Sequence, residues 1–507
     1  MRSAECGVRN KLRVTKTGLL CVMLLLCAAG SGHAADDAVQ KAMKAYEKHR
    51  YEEGARDLRQ TLSSLPQNKQ SAAQLALGML YLKNAELHQG LFHSSVVVNA
   101  DYLNRLARER GSSRSKYSDL YLGLTLLESG KPENAAAPLE KFLAGTAEKK
   151  HKAFAAIGLG MVEHHAGNKQ KAQDAWNAVQ SSDQDVKTEL AFAWSRAVAA
   201  DKNAPALCDE VLAAGRKSGA APSIIAVKNC LGVYAAAGLM DKGMDLLQRG
   251  DLKSHAYRES AGRSKVISFY DVQLLASLAK FYLAAATASL EHAAADAQLR
   301  SIANYYLSEA SVLEGSADQA AKAATAFLAS PQAPPQYKNR AMVRQGLVQY
   351  QKGKKADAIG LWDELTRNQP NDPELLADVL FACGRLSIEC PRPAQTAASA
   401  VERGEGKRFA VANIGLGRYY VGRKDYARAL TYLETGRDKG NKNKIEFNDP
   451  LMLVDLAEAY YRTKKYSEAL EIYFEMSKQF PQVRQLQEAL QGIYSMEHKS
   501  AGDVKIN

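Results

Sequence analysis

The chain has 507 residues, of which 46% are hydrophobic and 24% are charged, and its formal net charge is +12. This composition allows a large buried core, which excludes a chain that stays unfolded for lack of apolar residues. The length fits either several compact domains or one long repeat array.

The first 34 residues have the parts of a secretory signal peptide. Five basic residues precede an apolar run at 18–29, and Gly32 and Ala34 are small at both places that a signal peptidase reads. The run is shorter than the roughly 20 residues of a membrane-spanning helix. We therefore predict a cleaved signal peptide, with an uncleaved anchor as the alternative, and expect the mature chain to be exported, without a transmembrane segment.

From residue 42 onward one spacing of residue sizes recurs. A small residue is followed twelve positions later by a second small residue. A bulky residue stands four positions after the second one and, in complete copies, a proline stands eight positions after the bulky residue. Two closely crossing antiparallel helices need small residues at the contact, large residues beside it and a stop after the second helix. The spacing therefore predicts helix pairs. The copies are Ala42-Gly54-Leu58-Pro66, Gly123-Ala135-Leu139, Gly160-Ala172-Trp176, Gly346-Ala358-Trp362-Pro370, Gly417-Ala429-Leu433 and Ala457-Ala469-Tyr473-Pro481.

Other segments fit the same spacing less completely. Residues 75–81, LALGMLY, contain Gly78, and Gly90 follows twelve positions later, which predicts a further helix pair there. Weaker copies pass through Leu231 and through Ser308.

This pattern resembles the tetratricopeptide repeat, whose L-G-x-x-Y element is present at Leu416, Gly417 and Tyr420. The resemblance covers most of residues 35–481, although the first small residues are 34 to 45 apart where the family repeats every 34. It implies an all-α fold, a right-handed superhelical solenoid of antiparallel helix pairs. It also implies a non-enzymatic scaffold that binds proteins.

On this basis we expect five segments. They are a signal peptide at 1–34, N-terminal repeats at 35–250, a degenerate helical connection at 251–300, C-terminal repeats at 301–481, and a capping helix with a tail at 482–507.

Four cysteines remain after signal cleavage, and an even number in an exported chain favours pairing. Cys208 and Cys230 are equally distant from a predicted turn near Gly219, so they lie at the same height on two antiparallel helices. Cys383 and Cys390 close a short loop. We predict both disulfides, with buried free thiols as the alternative, and no metal site because the spacings differ from those of zinc ligands.

No motif of an enzyme or of a cofactor site is recognised. The close pair His164 and His165 points in directions about 100° apart on a helix, which does not suit one metal ion. A lytic transglycosylase is the enzyme class most worth testing, but the catalytic surroundings of that family are missing around Glu259 and Ser260. We predict no enzymatic activity, cofactor or metal.

In the tetratricopeptide family the first helix of each pair lines a groove that takes partner peptides. Carried onto matched positions, the resemblance implies a groove lined by His164, Tyr350, Arg418, Glu458, Tyr461 and Arg462. Tyrosine and arginine suit such a role because they offer large contact area and paired hydrogen bonds to carboxylates.

The resemblance implies partners among the proteins or peptides of envelope machinery, in the periplasm or at the outer membrane. The alternative is a module for cell-wall glycan or acidic polysaccharide, bound by basic runs at 104–116, 148–152 and 436–444. Arg105, Arg108, Arg110 and Arg114 would then carry the binding. Nucleic acid is not expected, since an exported protein rarely meets it.

Overall fold

The computed structural model describes residues 33–108, 117–197, 203–217, 222–248, 269–403, 407–442, 449–478, 480 and 483–500. All regular secondary structure in these ranges is helical. The predicted fold class, an all-α solenoid of antiparallel helix pairs, is confirmed. The predicted signal peptide at 1–34 lies almost wholly outside the described residues and stays a prediction.

The chain divides into two compact units, and each unit takes two segments of the sequence. The first unit consists of Met1–Tyr81 and Ala286–Arg403. Its complete helices are α1 (His33–Glu47), α2 (Tyr51–Leu62), α13 (Arg300–Glu314), α14 (Ala317–Ala329), α15 (Pro335–Gln351), α16 (Lys355–Asn368), α17 (Pro373–Arg385) and α18 (Pro391–Arg403).

The second unit consists of Leu82–Ala285 and Gly404–Asn507. Its complete helices are α4 (Ser118–Glu128), α5 (Pro132–Ala144), α6 (Lys149–His165), α7 (Lys169–Asn177), α8 (Gln184–Ala197), α9 (Asn203–Lys217), α10 (Ile224–Ala236), α11 (Met240–Gln248), α19 (Lys407–Gly422), α20 (Tyr426–Lys442), α21 (Pro450–Arg462), α22 (Tyr466–Ser477) and α23 (Arg484–Ser500). The five segments expected from sequence differ from this division and stay a prediction.

Two long helices contribute residues to both units. They are α3 (Gln67–Arg108) and α12 (Phe269–Ala294). The helix pair predicted around Gly78 and Gly90 is therefore wrong, since both glycines lie in the single helix α3. No proline or glycine interrupts residues 79–89, so the helix has no reason to end there.

The small residues of the repeat spacing pack under large side chains. A β-carbon at Gly160 would lie 2.2 Å from Nε1 of Trp176, and one at Gly346 would lie 2.3 Å from Nε1 of Trp362. Each indole N–H donates to a backbone carbonyl of the first helix at 3.1 Å. The second helix thus approaches the first so closely that only glycine fits at these positions.

The turn of most helix pairs is closed by a residue with a positive φ, the left-handed backbone conformation, one or two positions after the first helix. Glycine takes this place after α4, α6, α10, α13 and α15. His49, Ser387, Lys424 and Lys464 take it elsewhere, with φ between 55° and 63°. The uniform turn explains why the helix pairs repeat the same geometry.

Both predicted cysteine pairs are joined in the structure. Cys208 of α9 bonds to Cys230 of α10 with a Cα–Cα distance of 5.5 Å, and Cys383 of α17 bonds to Cys390 before α18 with a Cα–Cα distance of 6.2 Å. The first bond therefore ties the second helix of one pair, α9, to the first helix of the next, α10, and the second bond ties the two helices of the α17–α18 pair together.

One stretch of the described residues, Gln273–Ala294 in α12, is long and apolar enough to cross a membrane, with a mean hydropathy of 1.2. The core helix of a globular protein passes the same test, and 67% of this stretch is buried. Its side chains fill glycine sites on neighbouring helices: Phe281 lies over Gly243, and Leu290 lies over Gly78.

Candidate functional site

The ends of three first helices in the second unit bring charged side chains together. Glu128 is the last residue of α4, His165 is the last residue of α6, and Arg196 is next to the last residue of α8. Arg196 Nη1 donates to Glu128 Oε1 at 2.6 Å. We call Glu128, His165, Arg196, Gln273 and Lys280 the charged cluster.

Helix α12 completes the charged cluster. Gln273 Nε2 donates to Glu128 Oε1 at 2.8 Å. Lys280 lies seven residues later, which is about two turns and the same helix face. Lys280 is solvent-exposed. Among the described residues, the buried Oε1 atom of Gln273 has no hydrogen-bond partner, so the cluster can accept one more donor.

The electrostatics of the cluster are strongly perturbed. Burial alone would raise the pKa of Glu128, but Arg196, Lys280 and the hydrogen bond from Gln273 lower it to about 2. The pKa of Lys280 is lowered by desolvation and by the like charge of Arg196, which outweigh the attraction of Glu128. The pKa of His165 is lowered by desolvation, then by Arg196 and His164. Positive charge is therefore in excess there.

Lys280 combines solvent exposure with a desolvated ammonium group. Protein atoms around the ammonium group therefore disfavour its charged form although solvent reaches the side chain. Perturbed titratable groups that solvent reaches are candidates for binding.

A second charged network lies close by and is fully buried. Lys228 of α10 donates from Nζ to Glu189 Oε2 of α8 at 2.8 Å and to Asn229 Oδ1 at 2.7 Å. Lys228 has no exposed surface. Its pKa is lowered by desolvation, against the attraction of Glu189. This network joins neighbouring first helices and serves the fold.

Two of the predicted groove residues are half-buried on first helices. His164 lies 6.2 Å from the ring of Trp176 and 6.1 Å from that of His165, measured between ring centroids. Tyr350 lies under Lys355, whose Nζ is 5.5 Å from the ring centroid. Their role in partner binding stays a prediction.

The other four predicted groove residues lie on α19 and α21. Arg418 Nε donates to Asp455 Oδ2 at 2.6 Å, and both side chains are mostly buried. Arg462 Nε lies 3.7 Å from Glu458 Oε1. Tyr461 is 5% exposed and its hydroxyl donates to Asp101 of α3. These contacts lie within the chain itself, so Arg418 and Tyr461 support the fold whatever else they bind.

Some side chains of the basic runs at 104–116, 148–152 and 436–444 form ion pairs. Arg105 contacts Glu497, Lys150 contacts Asp183 and Asp185, and Arg437 contacts Glu475. The side chains of Arg108, Arg110 and Arg114 lie outside the described residues. Among the described residues, no three histidine, cysteine or acidic side chains are grouped as metal ligands.

Comparison with known proteins identifies the repeat. Residues 314–373 and 414–483 match the sequence model of the tetratricopeptide repeat, one segment in each unit. These two segments match tetratricopeptide repeats. The matched segments cover helices α14 to α16, the second half of α19 and helices α20 to α22, and these helices carry the Gly346, Gly417 and Ala457 copies of the spacing.

Solved structures resemble the chain at 13% sequence identity. The Cut9–Hcn1 hetero-tetramer of the APC/C matches 93% of this chain and 98% of that chain, with a TM-score of 0.27. Yeast Tom70 matches 93% of this chain and 96% of that chain, with a TM-score of 0.31. Neither likeness supports a functional argument. No curated protein sequence matches the chain at a significant level.

Tetratricopeptide repeats generally bind protein partners, so the two matched segments support a role in protein interaction. The sequence reasoning considered His165 only as a metal ligand beside His164, which it rejected, and it missed the other members of the charged cluster. Glu128 and His165 each lie five residues after a repeat glycine, and that shared position was a usable signal. Lys280 lies where the repeat spacing is poor, so no signal indicated it.

Proposed function

We propose that this protein is an exported, non-enzymatic scaffold of the cell envelope. It binds partner proteins along its first helices during assembly or export of envelope components. The observation that carries this proposal is the pair of tetratricopeptide matches within a chain built of antiparallel helix pairs.

Two features support export. The first 34 residues have the composition of a signal peptide. The two disulfides favour an oxidising compartment, since thiols of cytosolic proteins are kept reduced.

The basic runs would favour acidic polysaccharide as the partner, but their described side chains largely hold carboxylates of the chain itself. Arg105 and Arg437 each contact a glutamate, and Lys150 contacts two aspartates. Protein partners are therefore the better supported class.

Export is tested by fractionation of cells that make the full chain. We expect the protein in the envelope fraction, with a mature N-terminus at Ala35 by mass spectrometry and both disulfides intact on alkylation before reduction. A chain that keeps residues 1–34 and free thiols in the cytosol would contradict the proposal.

Binding along the first helices is tested by photo-crosslinking in cells. A crosslinking amino acid at Tyr350 or Arg462 is expected to capture defined proteins. The matched control is Lys322, which is exposed on the second helix α14. Equal capture from all three positions would contradict the placement of the binding surface.

A further inference from the structure

We propose that residues 87–105 of α3 fill the groove of the C-terminal repeats as an internal ligand, so that a partner enters this groove only as a helix that displaces them. The inference rests on the proposed function, because it names the class of partner that one groove accepts and the segment that has to leave first. It concerns only residues of the second unit.

Helix α21 meets α3 through its predicted groove face. Tyr461, one of the predicted groove residues, donates from its hydroxyl to Asp101 Oδ2 at 2.5 Å. Leu451 and Val454 precede Tyr461 by ten and seven residues, which places them on the same face of α21. Their side chains lie 3.6 Å and 3.7 Å from the position of a β-carbon at Gly90. The chain itself therefore covers the groove face of α21.

The contact continues from α21 to the last helix, α23. A β-carbon at Gly492 would lie 2.6 Å from Cε2 of Tyr102, and Arg105 forms an ion pair with Glu497. Helix α3 thus crosses α21 and α23 in turn, as a bound helix crosses the elements that line a groove.

One stripe of α3 faces this groove. Leu87, Leu91, Val98 and Tyr102 are buried, and they belong to the same apolar core as residues of α19 to α23. Their separations of four and seven residues are those of the anchors by which an amphipathic helix binds in a hydrophobic groove. The position between Leu91 and Val98 on this stripe holds Ser94.

The other side of α3 is held by different helices. Asn99 Nδ2 donates to Thr125 Oγ1 of α4 at 3.3 Å, and the rings of His88 and Tyr282 of α12 lie 5.4 Å apart between centroids. These contacts do not involve the C-terminal repeats. Displacement from the groove therefore does not require α3 to unfold.

The filled groove has one weak point. Ser94 of α3 and Tyr473 of α22 are buried, and among the described residues neither hydroxyl has a partner at hydrogen-bond geometry. A buried polar group without a partner weakens a contact. A partner helix with alanine at the position of Ser94 therefore binds more tightly than α3. It should also carry an aspartate and, four residues later, an arginine, as α3 does at Asp101 and Arg105.

The test uses the mature full chain and a fluorescent peptide with the sequence of residues 84–107, in anisotropy titrations. Asp101→Asn with Arg105→Gln in the chain weakens the internal helix and leaves its groove unchanged. We expect the peptide to bind this variant at least about tenfold more tightly than the wild-type chain, as for loss of a hydrogen bond to a charged group. The matched control, Asp174→Asn with Lys171→Gln on the exposed side of α7, should bind like wild type.

Two further comparisons use the same assay. Ser94→Ala in the peptide should tighten its binding to the double variant, and Asp101→Asn with Arg105→Gln in the peptide should weaken it. If the double variant loses its helical circular dichroism, Arg105→Gln alone takes its place, because the ion pair of Arg105 with Glu497 is partly exposed.

Absence of peptide binding by a weakened chain of native helicity would overturn the proposal and make α3 a permanent part of the core. Equally tight binding by the wild-type chain would also overturn it, because the peptide would then use another surface. The scaffold function is judged separately, because proteins crosslinked at Tyr350 of the first unit would remain evidence for it in either case.

Discussion

At the scale of single residues, Glu128 shows how the charged cluster is coupled to stability. Its pKa falls from an ordinary value near 4.5 to about 2, although its side chain is only 6% exposed. The ionised carboxylate is therefore favoured in the folded state. The resulting stabilisation is present above the ordinary pKa and is lost as the pH falls through about 2.

Glu128→Gln should destabilise α4 and α8 at pH 7. The pKa shift corresponds to a free energy on the order of 3 kcal/mol, and the difference from wild type should shrink as the pH falls from about 4.5 toward 2. Hydrogen exchange of the α4 and α8 amides measures this local opening. A difference that stays constant with pH would contradict the electrostatic explanation.

Arg418 and Arg462 look equivalent in the sequence and differ in the structure. Arg418→Glu leaves Asp455 without its partner in a mostly buried place, so we expect a loss of about 3–5 kcal/mol in the local stability of α19 and α21. Arg462→Glu removes a longer, more exposed contact and should cost less than about 1 kcal/mol. Hydrogen exchange of both helices separates the two outcomes, and equal losses would contradict this assignment.

At the scale of helix pairs, the repeat glycines determine how closely the helices approach. Gly346→Ala should destabilise the α15–α16 pair by about 1–3 kcal/mol, because the new methyl group collides with Trp362. Gly360→Ala in α16 is the control. Nothing lies near its β-carbon, so this change should stabilise the helix by about 0.5–1 kcal/mol. The packing explanation would be contradicted if thermal unfolding showed Gly346→Ala to be more stable than Gly360→Ala.

The same glycines show what sequence can predict. The spacing predicted the α6–α7, α15–α16 and α19–α20 pairs correctly, because the small and large side chains that meet in a pair come from two helices adjacent in sequence. It failed at Gly78 and Gly90, whose large neighbours, Leu290 and Leu451, come from distant segments. The charged cluster was missed for the same reason, since α4, α6, α8 and α12 each supply one or two of its residues.

At the scale of the molecule, the second unit is not a simple array in which each repeat contacts only its neighbours. Its apolar core joins Leu87, Leu91 and Leu103 of α3 to residues of α19 to α23, including Leu453 and Leu490. The N-terminal and C-terminal parts of the chain therefore depend on each other within this unit.

A chain cut after residue 403 should expose this core. We expect the fragment 35–403 to bind a hydrophobic dye and to aggregate, while the chain that continues to residue 507 does neither. A soluble, dye-free fragment with native-like hydrogen exchange in α3 would show that the C-terminal helices are dispensable for this unit.

The most direct test of the scaffold is a pull-down with the mature chain from a cross-linked envelope extract, with retained proteins and glycans both identified. The account predicts a defined set of proteins, retained after enzymatic removal of polysaccharide. Retention of polysaccharide alone, independent of any protein, would contradict it.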